Sequence, residues 1–253
     1  MHVQTGGEQL ALFKALLEEV HTGLSIPSIL RRFEMFSSAT ADGITWPLCY
    51  TSCILGLVKF DYPEATAIIH AISRLGSDAS RVGAGVEWED IIQIALIMAC
   101  LRAKHLRTRL PFNLTTSAPL ASFLFIQMPA RIDSIKKAYK FMKETLKGCS
   151  AYPALLLATP SHAGFPLFDG FCVLQTSSST PICVTGFQAK AGRKYPTKDI
   201  PKSYVHAGFL IRGKAPSTSS GRHRKGWSYL TSVEIADLLG ASLGALYPAN
   251  LPT

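Results

Sequence analysis

Four apolar segments follow one another between residues 154 and 213, and nearly every conclusion about this chain's fold starts from them. ALLLATP (154–160), FDGFCVLQ (168–175), ICVTGFQAK (182–190) and HAGFLIRG (206–213) are short, rich in β-branched and aromatic residues, and separated by Pro, Ser, Gly and Lys. Such runs read as strands of a sheet. LASFLFIQM (120–128) reads as a further strand. On either side the apolar spacing changes to three and four. GVEWEDIIQIALIMACLRAKH (85–105) is apolar nearly all round and predicts a buried helix. RIDSIKKAYKFMKETLKG (131–148) places Ile132, Ile135, Tyr139, Met142 and Leu146 on one side, lysines on the other, and Gly148 as the stop. TSVEIADLLGASLGAL (231–246) opens with a capping box, Thr231 followed by Glu234.

The expected architecture is α/β, with a mixed, mostly antiparallel sheet flanked by helices. A helical N-terminal region, residues 1–82, precedes it, because EQLALFKALLEEV, PSILRRFEMF and YPEATAIIHAISRL are helical patterns split by Gly, Ser and Pro. The sheet-bearing domain is placed at 83–253, with a helix and strand inserted at about 106–150.

With 47% hydrophobic and 17% charged residues, a disordered chain is excluded over most of its length. The longest apolar runs, LCYTSCILGLV (48–58) and IIQIALIMACL (91–101), are too short to cross a bilayer. The opening residues form an amphipathic pattern and not a signal peptide, so a soluble protein with no membrane partner is expected. Cys49, Cys53, Cys100, Cys149, Cys172 and Cys183 lack any paired metal-site spacing and sit in apolar surroundings, which favours reduced thiols and a reducing compartment. The net charge is +9, and it is unevenly placed: ten Lys or Arg residues fall between Lys190 and Lys225 against one acid, Asp199. A segment that lopsided calls for a polyanion, and nucleic acid is the expected partner.

The hairpin 168–190 carries polar groups that a simple hairpin does not need. Alternation puts Asp169, Phe171, Val173 and Gln175 on one face of the first arm, and Ile182, Val184, Gly186, Gln188 and Lys190 on one face of the second. With TSSSTP (176–181) as the connection, Gln175 opposes Ile182, Val173 opposes Val184, Phe171 opposes Gly186 and Asp169 opposes Gln188, with Gly186 leaving room beside the cluster. A carboxylate, an amide and an ammonium group meeting there are costly to bury unpaired. A Mg²⁺ ion on Asp169, with Gln188 and the Ala189 carbonyl as further oxygen donors, would balance them, and Lys190 would then act on a water and on phosphate charge.

Asp169 followed by Gln188-Ala189-Lys190 resembles the motif of PD-(D/E)xK nucleases, the restriction-endonuclease-like fold, in its variant with Gln before the lysine. Gly85, Trp88 and Glu89 resemble the family's Gly-x-x-aromatic-Glu helix, with Glu87 as the rival acid. The runs GFPLFDGF, GFQAK and GWSYLTSVEIADLLGASLGALYP look like the C-terminal part of Crinkler-type effectors and retrotransposon hot spot proteins. The resemblance implies a Mg²⁺- or Mn²⁺-dependent endonuclease acting on DNA, in a nucleus and in effectors a host nucleus, with possible host nuclear proteins as partners. It implies catalytic roles for Glu89, Asp169, Gln188 and Lys190, and metal contacts from Glu89, Asp169, Gln188 and Ala189. Arg193, Lys194, Lys198, Lys202, Arg222, Arg224 and Lys225 would contact nucleic acid, with Tyr204 and His206 as further phosphate candidates. The chain departs from the family in two places: Pro166 stands three residues before Asp169 instead of adjoining it, and Gln188 removes one charge from the metal site. A nuclease-fold module that binds DNA or a nuclear protein without cutting is the alternative.

Overall fold

A computed structural model describes residues 84–161, 165–190, 198–212 and 225–245. The order is α1 (Ala84–Leu106), β1 (Ser122–Met128), α2 (Ile135–Lys147), β2 (Ala154–Pro160), β3 (Gly170–Gln175), β4 (Cys183–Lys190), β5 (Ala207–Arg212), β6 (Trp227–Tyr229) and α3 (Ser232–Ala245). A short 3₁₀ turn, Pro111–Asn113, lies between α1 and β1. The helices read from the first 82 residues lie outside the described residues.

The six strands form one mixed sheet in the order β1-β2-β3-β4-β5-β6. β3 is antiparallel to both neighbours, while the β1–β2, β4–β5 and β5–β6 pairings are parallel. The sheet is therefore not mostly antiparallel: β3 alone runs against the other five strands. The adjacency of the apolar runs suggested mostly antiparallel pairing. Only the two shortest connections, β2–β3 and β3–β4, are antiparallel returns. α2 supplies the crossover between β1 and β2, as a parallel connection requires. β6 is too short to stand out as a periodic segment.

β2 and β3 are buried on both faces, Pro160 excepted, which explains their continuous apolar sequences. One face packs under α1 and α3, with Leu155, Leu157, Cys172, Leu174, Phe187, Ala189, Phe209 and Ile211 against Trp88, Ile92, Leu96 and Leu239. The other face, carrying Leu156, Ala158, Phe171, Val173, Val184 and Leu210, is covered by α2 and by Phe165, Phe168, Ile200 and Val205 from the loops. The result is three layers, helices over sheet over helix and loop. The phenylalanines 165, 168, 171 and 187 are all buried, so they are core and not base-stacking platforms.

Each helix follows its sequence signals. In α2, Ala138, Met142 and Leu146 recur every four residues and are buried, and the Ser134 hydroxyl caps the start by accepting from the Lys137 amide. In α3 the capping box forms as read: the Thr231 amide donates to Glu234 Oε2 at 2.7 Å and the Glu234 amide to Thr231 Oγ1 at 3.2 Å. Cys100, Cys149, Cys172 and Cys183 are free thiols. Among the described residues no helix is long and apolar enough to cross a membrane.

Candidate functional site

Because β3 opposes the rest, the carboxyl ends of β1, β2, β4, β5 and β6 and the amino end of β3 gather at one end of the sheet. Open α/β sheets place ligands outside the carboxyl ends of their strands. Asp169 and Lys190 both lie there, immediately before β3 and on the last residue of β4.

The hairpin register is the one that alternation gave: Phe171 pairs with Gly186 and Val173 with Val184. The ladder stops at Gly170 and Phe187, one pair short of Asp169. Asp169 nevertheless grips the end of β4 twice. Its amide donates to the Phe187 carbonyl at 2.8 Å, and its Oδ2 accepts from the Ala189 amide at 2.7 Å. These bonds tie both the backbone and the carboxylate of Asp169 to β4.

Glu89 arrives from α1. The neighbouring Trp88 is fully buried, and its indole N–H donates to the Ile211 carbonyl near the end of β5 at 3.1 Å. That bond fastens the first part of α1 over the sheet end and brings Glu89, one residue on, to the site. The Lys190 ammonium lies 3.4 Å from Glu89 Oε1 and 3.9 Å from Asp169 Oδ2. Two carboxylates thus converge on one cation. Alternation would point Lys190 away from α1, yet its charge meets a residue of α1, because a lysine on the last position of a strand can carry its long stem around the open sheet end. Asp169 and Lys190, which the register keeps on one alternating set of the hairpin, thus meet Glu89 of α1 at that end.

Gly186 plays another part than the one expected. A Cβ there would come within 2.4 Å of the Phe168 ring, so the space beside it is filled by core and is not room for the polar cluster. Gln188 is half-buried and pairs with Leu210 in the β4–β5 ladder. Ala189 enters the site through its amide, with its methyl buried under α1.

The site is open to solvent: the side chains of Asp169, Lys190 and Glu89 are 26%, 31% and 40% exposed. Partial burial pushes the Asp169 carboxyl up to about 6; the Lys190 ammonium opposes that, the Glu89 carboxylate reinforces it, and the Ala189 amide again opposes it. One lysine therefore does not satisfy both acids, and the site favours additional positive charge. Two carboxylate oxygens are hard donors suited to Mg²⁺, which keeps several waters when so few protein ligands hold it. Among the described residues no three His, Cys, Asp or Glu side chains form a metal cluster, so any bound cation would draw the rest of its shell from Gln188, water and substrate. A cavity of about 570 Å³ lined by Ala103, Arg107, Arg109, Asn113 and Thr116 touches none of these groups.

Of the nucleic-acid contacts read from the sequence, Lys198, Lys202 and Lys225 are exposed. Arg193, Lys194, Arg222, Arg224 and the side chain of Glu87 lie outside the described residues. His206 stands just before the amino end of β5, a strand length from Lys190, and its Nδ1 accepts from the Val184 amide at 3.0 Å. Tyr204 packs against Tyr139 of α2, with ring centroids 5.7 Å apart. Neither touches the acid–lysine cluster. Sequence reading gave no site role to Arg212, which pairs with Lys190 in the β4–β5 register and lies over the Tyr229 ring at 5.0 Å. Its place in the last strand before a basic loop was visible; its pairing to Lys190 was not, since strand order had to be known first. Comparison of the chain with protein-family models, with curated proteins and with solved structures gave no match.

Proposed function

We propose that the chain is a divalent-metal-dependent endonuclease acting on DNA, with Asp169 and Glu89 as the charged metal-holding groups. The observation that carries this reading is the convergence of both carboxylates on the Lys190 ammonium, at 3.4 and 3.9 Å, at an open sheet end. The order of elements supports it: an acid-bearing helix, then the antiparallel series β2-β3-β4, then β5 parallel to β4, with Asp169 at the second strand of that series and Gln188 and Lys190 on the third. With β1 and α2 taken as an insertion, this order supports a restriction-endonuclease-like core. An open site also suits a polymer better than a small molecule, which is normally enclosed.

When bound, Mg²⁺ or Mn²⁺ would polarise a phosphodiester and lower the pKa of a coordinated water. Asp169, held by the Ala189 amide, offers a carboxylate oxygen in a fixed place. Glu89 offers the second, and Gln188 and the Ala189 carbonyl offer neutral oxygens. Lys190 orients the attacking water and offsets charge that grows on the phosphate. Arg212, its neighbour across the ladder, holds its guanidinium over the Tyr229 ring. In the setting the sequence resemblance implies, the substrate is nuclear DNA of a host cell.

Cleavage of supercoiled plasmid in Mg²⁺, Mn²⁺ or EDTA tests this reading. Wild-type protein should nick DNA only with metal, and Lys190→Ala and Asp169→Asn should each lose on the order of 10²-fold or more in rate. Unchanged cleavage by both variants would defeat the assignment. The neutral Gln188 favours one other reading, a module that binds DNA and has lost cleavage; it predicts salt-sensitive binding with no metal-stimulated nicking.

A further inference from the structure

A second basic surface lies away from the acid–lysine cluster. On α2, Lys136, Lys140 and Lys143 recur at helical spacing on the side opposite the buried Ala138, Met142 and Leu146, and all three are exposed. The nearby acids are already engaged, Asp133 with Lys137 at 2.8 Å and Glu144 with Lys147 at 2.9 Å. Glu144 also feels Lys140 and Lys143, yet Asp133 and Glu144 stand against Lys136, Lys137, Lys140, Lys143 and Lys147, so the face stays net positive. The Tyr139–Tyr204 ring contact joins α2 to the segment that holds exposed Lys198 and Lys202. Six residues separate the carboxyl end of β1 from α2, so this surface starts at the same end of the sheet as Asp169 and Lys190, on the face opposite α1, and leads away from that end.

We propose that Lys136, Lys140 and Lys143, continued by Lys202 and Lys198, form a docking track for the phosphate backbone of nucleic acid reaching the site. The inference rests on the nuclease reading for its purpose, and on the geometry of α2 for its place. Lys136 and Lys143 are about 10 Å apart along the helix, which spans roughly three base-pair steps of a duplex. An acidic membrane surface fits less well. Amphipathic helices that lie on membranes present large apolar side chains next to their lysines, whereas the one exposed large apolar side chain among the described residues is Val233, on α3.

The test is binding of a fluorescein-labelled 20-base-pair duplex to the full chain in EDTA, with fluorescence anisotropy read across a salt series. The Lys136→Gln, Lys140→Gln, Lys143→Gln triple variant should bind about tenfold or more weakly near physiological salt. Its log–log salt slope should be shallower by about 2 to 3, roughly one unit per lost phosphate contact. The corresponding Lys→Arg triple keeps charge and should keep wild-type binding, which separates charge from folding; melting curves of both variants check the latter. An unchanged slope in the Gln triple, an Arg triple as weak as the Gln triple, or loss of binding to anionic vesicles with duplex binding intact would each overturn the proposal. Because no cleavage is read, a chain that never nicks plasmid but shows the slope change would keep the docking track and lose only the nuclease reading.

Discussion

Asp169 is the residue on which the proposed chemistry and the stability of this protein meet. Its carboxyl is pushed up to about 6 in the folded chain, against about 3.9 when free. A raised acid pKa means that the folded state binds the proton more tightly than the unfolded state. Stability from this group is therefore fully present at low pH and is lost as pH rises from about 4 through about 6. At neutral pH the ionised group is a standing cost of about 1–3 kcal/mol, which a bound cation would offset. Asp169→Asn keeps an oxygen for the Ala189 amide and removes the titration. Urea melts of metal-free protein should find the variant more stable than wild type at pH 7 by about 1–2 kcal/mol, with the gap closing toward pH 4. Parallel stability profiles for the two proteins across that range would contradict the burial argument.

At the level of elements, α1 and the β3–β4 hairpin are positioned by two kinds of bond that sequence patterns do not display. The hairpin is held by its strand pairing and by its turn, where the Thr180 hydroxyl accepts from the Ser177 amide at 2.9 Å and Gln175 Nε2 donates to the Thr180 carbonyl at 3.0 Å. Gln175 thus serves the turn and not the acid–lysine cluster. The helix is held over the sheet end by its apolar face and by the Trp88–Ile211 hydrogen bond. Trp88→Phe preserves much of the ring packing but leaves a buried carbonyl without its indole donor, which should cost about 1–3 kcal/mol. The urea midpoint should fall with an unchanged m-value. Metal-dependent nicking should fall as well, since Glu89 would lose its anchor; a variant with lowered stability and full activity would show that Glu89 does not depend on Trp88.

For the whole molecule, the sheet gathers acids at one end while its second helical face carries lysines in the open. The first arrangement favours a small hard cation and the second an extended anion. Magnesium that binds the native chain and not the unfolded one must raise its melting temperature. At a concentration one hundred times the dissociation constant the gain is about 2.7 kcal/mol, a shift of roughly 5–10 °C for a chain of this size. Scanning calorimetry in millimolar Mg²⁺ should detect it in wild type and not in Asp169→Asn. Equal shifts in the two proteins would place the ion elsewhere.

The sequence by itself determined the features that follow from local periods. Alternation put Phe171 opposite Gly186, apolar content marked β2 and β3 as strands, and spacing with caps located α2 and α3 to within a few residues. It also brought Asp169 and Lys190 to the same end of one hairpin, since their positions on adjacent arms are set by a turn of six residues. What only the tertiary structure decided is whatever depends on distant segments. The direction of β1, β5 and β6, the filling of the space above Gly186 by Phe168, and the arrival of Glu89, 101 residues from Lys190 in the chain, belong to this second class. Period two and period 3.6 report which side of an element is apolar, whereas the choice of what covers that side is made by packing across the whole core.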